Sequence, residues 1–120
     1  MSSVVNYLDE PEKFKNIIAN RLSGVKSQTY TIEPKQLFPD FNPRRREHVY
    51  FWLLKFPEIT RDWVFVGYIM SSKKKKRRQR VQRLVFAKKD AVAWVLEKFG
   101  DKLVLAKGIE VYANKVVANA

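Results

Sequence analysis

The sequence predicts a single α+β domain: an antiparallel sheet of about four strands with two helices packed on one face, in the order α-β-β-β-α-β. Three observations lead there. Apolar residues recur at helical spacing near both ends of the chain, while the middle holds short apolar runs of strand length between polar links. At 120 residues the chain is long enough for one hydrophobic core and too short for two. An apolar fraction of 46% with 13% aromatics suits a folded domain rather than a disordered tail.

Taken from the N-terminus, Asp9-Glu10-Pro11-Glu12 reads as a helix start, with acidic residues and a proline in the first turn. Phe14, Ile17, Ile18 and Leu22 then share a helical face, and Gly24 follows as a terminator. Residues 25–47 alternate weakly around Tyr30 and Ile32, then carry Pro34, Pro39 and Pro43, which predicts an extended, irregular connection. Residues 48–56 form an apolar, aromatic-rich run closed by Pro57, and residues 62–70 form another. The short link 57–61 predicts that these two runs pair as an antiparallel hairpin. Residues 71–79 are a polar, basic bridge to a further alternating run at 80–86. From residue 88 the period turns helical through Ala91, Val92, Val95, Leu96 and Phe99, and Gly100 ends it. Residues 103–106 and 109–117 read as one or two closing strands around Gly108. No internal repeat is present, and residues 73–78 are the low-complexity segment.

The formal net charge of +12 is unevenly spread. Residues 63–89 carry ten basic side chains and no acidic one, and residues 44–62 add a net +2, whereas both flanking segments are neutral. Charge concentrated in this way creates a surface potential of one sign, which is self-repulsive unless something anionic binds there. The densest part is Lys73, Lys74, Lys75, Lys76, Arg77 and Arg78, followed by Arg80 and Arg83, with a second cluster at Arg44, Arg45 and Arg46. Six adjacent cations cannot be core, so the run is expected to project as a loop or hairpin tip that attracts phosphates through counterion release. A solvated loop, a nuclear address or a lipid-binding segment are the competing readings of such a run; no adjacent amphipathic stretch supplies an anchor for the last.

Beside these cations lie aromatic runs. Alternation would make both faces of the two middle strands apolar, and two helices cover only one of them, so Trp63, Phe65, Tyr50 and Trp52 are candidate stacking residues for bases, the first two favoured. Arg61, Phe65, Val66 and Tyr68 match positions of the RNP1 consensus of the RNA-recognition motif. Asp62 stands where that motif has glycine, and its second aromatic strand is too near in sequence, so the match is that of an aromatic strand in general.

No catalytic constellation is legible. His48 is the single histidine and has no recognisable Ser or Cys partner; no Gly-rich phosphate loop occurs, and the carboxylates do not form a metal-nuclease pattern. With no cysteine, the chain suits a reducing interior, as a cytoplasmic, nucleoid-associated or nuclear protein. No apolar run approaches the roughly 18 residues needed to span a bilayer, and the first residues lack a secretory pattern. The expectation is therefore a non-enzymatic protein without metal or cofactor, binding single-stranded DNA or RNA with little sequence preference. The alternatives are a structural-RNA-binding protein of ribosomal type, or an interaction module whose aromatic face closes a homodimer.

Overall fold

Two long alternating segments, β2 (Trp63–Met70) and β3 (Val81–Lys88), pair in antiparallel fashion and form the centre of the protein. The structure is a computed structural model describing residues 2–71 and 80–113, with side chains from Glu12 onward. Short strands flank the central pair: β1 (Thr29–Ile32) beside β3 and β4 (Leu103–Leu105) beside β2. The result is a four-stranded antiparallel sheet in the order β1-β3-β2-β4. The α+β class and the four antiparallel strands agree with the sequence reading.

The order along the chain differs from the expected α-β-β-β-α-β. It runs α1 (Ser2–Leu22), β1, α2 (Pro34–Leu37), α3 (Pro43–Lys55), β2, β3, α4 (Val92–Phe99), β4. Helix α1 begins before the Asp9–Glu12 signal, although Pro11 forfeits a backbone hydrogen bond inside it. Residues 48–56, expected as a strand, belong largely to α3. The cause is local: Asn42 caps the helix by accepting the Arg45 N–H at 2.8 Å, and Pro43 occupies the first turn. Val49, Tyr50 and Leu53 then fall on one face and are buried, while Phe51 points outward, which is helical rather than strand-like spacing.

The hairpin therefore joins β2 to β3 rather than residues 48–56 to β2. Its root is held by Ser71 N–H to the Arg80 carbonyl at 2.7 Å and by Arg80 N–H to Ser71 Oγ at 3.1 Å. The link 57–61 does turn the chain back, because Phe65 N–H donates to the Pro57 carbonyl and Ile59 N–H to the Trp63 carbonyl. Of the segment expected as a strand at 109–117, residues 110–113 are helical and the rest lies outside the described residues. β1 falls within residues 25–47, expected as irregular.

Sheet register sorts the side chains. Tyr30, Phe86 and Phe65 share one face with Ile32, Leu84 and, past the irregularity between Phe65 and Gly67, Tyr68. Helices α1 and α3 lie on that face: Arg21 Nε donates to the Tyr30 hydroxyl at 3.0 Å, and the Tyr50 ring is 6.2 Å from that of Tyr68. Phe14, Phe38 and Phe41 join α1 to the start of α3, with Phe38 and Phe41 stacked at 5.1 Å. The opposite face is closed at the same end of the sheet, since Val64, Val85 and Ala87 have no exposed surface. Among the described residues no helix is long and apolar enough to cross a membrane.

Gly67 shows how close the β2–β4 approach is. A Cβ at this position would fall inside contact distance of the Val104 carbonyl oxygen, a backbone atom that cannot rotate away. Gly67→Ala is expected to displace β4 and destabilise the protein by about 1–3 kcal/mol. A denaturant melt checks this; an unchanged midpoint would mean that β4 tolerates the shift.

Candidate nucleic-acid interface

The burial of β2 and β3 grades along their length. Trp63 to Gly67 and Leu84 to Ala87 are buried, whereas Tyr68 to Met70 and Val81 to Arg83 are partly or fully exposed. Where the sheet becomes wet, α2 and the first turns of α3 stand apart from the hairpin root and leave a groove of about 900 Å³. Its lining includes the cations Lys35, Arg46 and Arg80 and the aromatic residues Tyr50, Phe51 and Tyr68. Glu33 and Glu47 also line it.

The groove brings together a subset of the residues expected from the sequence. Arg46 and Arg80 face it, on α3 and at the start of β3 respectively. Arg46 Nε is buried and has no hydrogen-bond partner among the described residues. Such a donor retains its desolvation cost until an acceptor reaches it. Arg44 is exposed outside the groove, and Arg45 lays its guanidinium over the Phe41 ring at 4.3 Å. Arg83 lies on the sheet face opposite Leu84, away from the groove. Lys73, Lys74, Lys75, Lys76, Arg77 and Arg78 lie outside the described residues, between the two strand ends that border the groove.

The aromatic assignments change most. Phe65 has no exposed surface and packs on Phe86 at 5.4 Å, and Trp63 is 6% exposed. Both rings are core because they point to the sheet face on which α1 and α3 lie, contrary to the expectation that their face stays open, and neither presents a face to a base. Tyr50 is also buried, though it borders the groove. Trp52 is half-buried between the Phe56 ring at 5.2 Å and the Lys15 ammonium at 5.2 Å from its centroid, and it does not line the groove. The accessible ring is Phe51, 61% exposed, which a strand reading of residues 48–56 left among the apolar positions. The Asn42-Pro43 helix-start signal was the clue that would have turned it outward.

Burial pushes the Tyr50 phenol up from 10.0 to about 12, with the Arg46 charge opposing and the Glu47 charge adding. Among the described residues no group of three or more His, Asp or Glu stands close enough to hold a metal ion. The chain matches no protein-family model, no curated protein sequence and no solved structure.

The raised phenol has a measurable consequence. An unfolded tyrosine ionises near 10.0 while folded Tyr50 waits until about 12, so its stabilising effect is whole below pH 10.0 and is lost as pH rises through that window. Tyr50→Phe should make the fall in Tm across that window shallower than in the wild type. Parallel Tm profiles would show that the phenol is free to ionise in the folded protein.

Proposed function

We propose that the protein binds single-stranded nucleic acid, holding backbone phosphates on the cations around the hairpin root and stacking bases against the aromatic residues of the groove. One observation carries this reading. The whole excess of positive charge lies in residues 44–89, and two of its arginines, Arg46 and Arg80, meet Lys35 in a groove that also offers an exposed aromatic ring. The Arg46 guanidinium at the groove suits a phosphate oxygen, which accepts charge-assisted hydrogen bonds. Phe51 supplies the accessible stacking face, and such stacking contributes about 1–3 kcal/mol per base. The six cations at residues 73–78 add to the charge available for phosphates. Contacts of that kind position a strand without reading its sequence.

Fluorescence anisotropy with labelled single-stranded RNA, single-stranded DNA and duplex DNA at two salt concentrations tests the proposal. If about six phosphates are neutralised, log K should fall against log salt with a slope of about −4, at about −0.7 per phosphate. Replacing Lys73, Lys74, Lys75 and Lys76 with Ala should weaken binding to all sequences alike and flatten that slope. Phe51→Ala should weaken binding about tenfold while leaving the slope intact. Tighter binding to the duplex would assign the function to cations alone, and salt-independent affinity would overturn the phosphate mechanism.

A further inference from the structure

The groove contains two groups that a site for phosphates alone would not favour. Glu33, at the residue preceding α2, and Glu47, on α3, line it together with Arg46 and Arg80, and both are exposed. Among the described residues neither forms an ion pair or a side-chain hydrogen bond. A free carboxylate repels a phosphate. It attracts a hydrogen-bond donor; on a nucleic-acid strand these are base N–H groups and, in RNA, the 2′-hydroxyl. Every ribonucleotide carries that hydroxyl alike, so only the base donors can distinguish one base from another.

Position along α3 gives the carboxylate a base to meet. Glu47 precedes Phe51 by four residues and Tyr50 by three, so it shares their side of the helix. A base laid on the Phe51 ring has its edge within reach of this carboxylate, while Arg46, one residue earlier, is placed for the phosphate. We propose that the groove discriminates among the bases it holds, preferring those with an exocyclic amino group, through Glu33 and Glu47. Cytosine and adenine donate from N4 and N6, and guanine from N1 and N2. Uracil and thymine present carbonyl oxygens at the corresponding edge, and their one ring N–H lies between two such oxygens, which repel a carboxylate. This selectivity rests on the single-strand reading above and adds a preference at the groove to a track that otherwise ignores sequence.

Oligocytidine and oligouridine of equal length, compared by anisotropy at a pH where cytosine is unprotonated, isolate the amino group. The wild-type protein is expected to bind oligocytidine roughly tenfold more tightly. The ratio should hold as salt is raised, because both oligomers carry the same phosphates. Combining Glu33→Gln with Glu47→Gln should bring the ratio close to one, since an amide both donates and accepts, and should leave oligouridine binding equal or tighter. Both side chains are exposed, so the double variant keeps the fold, which its thermal melt verifies. Equal wild-type affinities, or a ratio that survives the double substitution, overturn this selectivity while the nucleic-acid reading stands. Absence of binding to either oligomer at low salt overturns both.

Discussion

The antiparallel ladder between β2 and β3 is the constraint on which the rest of the protein depends. It runs from the Trp63–Lys88 pair to the Met70–Val81 pair, with two irregularities that shift the register. Each outer strand attaches to one member of this pair, so neither has a place in the sheet without it. Cross-strand contact of Phe65 with Phe86 fixes the register at the buried end. At the other end the Ser71 and Arg80 hydrogen bonds close the ladder.

Burial and charge divide the ladder between them. At its dry end Trp63 to Val66 and Leu84 to Ala87 are buried aromatic or aliphatic side chains, and the one charge there, Lys88, lies over the Trp63 ring. At its wet end Tyr68 to Met70 and Val81 to Arg83 are partly or fully exposed, and polar Gln82 and Arg83 stand among apolar neighbours. Keeping charge out of the core avoids the cost of burying cations. The helices extend this division. The Phe14–Phe38–Phe41 cluster anchors the start of α3, where three consecutive arginines stand, so one of them reaches the groove while its neighbour covers the Phe41 ring. Arg46 and Arg45 thus do different things one residue apart, a consequence of the turn angle of the helix.

The sequence made the class, the sheet type and the site of the charge legible, and the reasons are physical. The helical repeats Phe14–Ile18–Leu22 and Val92–Val95 each point one apolar face inward, and those residues are buried, as are Leu84, Val85 and Phe86 of the alternating run in β3. Residues 48–56 were ambiguous because a run apolar on nearly every side carries no clear period. The cap at Asn42 and the proline after it decided between helix and strand, and they lie in a stretch whose three prolines suggested irregular chain. The groove followed from that same misassignment: with α3 taken as a strand, Phe51 and Tyr50 fall on opposite faces, and Lys35, Glu33 and Tyr68 have no reason to meet. The burial of Trp63 and Phe65 is not legible in the strand, because which face the helices cover is a tertiary property, invisible to alternation.

The outer strands carry a consequence for how the protein keeps company with itself. β1 has four residues and β4 has three, so each margin of the sheet exposes only a few backbone donors and acceptors. Val104 and Leu105 leave part of the β4 margin apolar, which in a longer strand would invite a second chain to register alongside. Here the ladder is too brief to template such growth, and the strong like charge on every copy opposes the approach. Margins this short let copies crowd side by side without converting them into fibres.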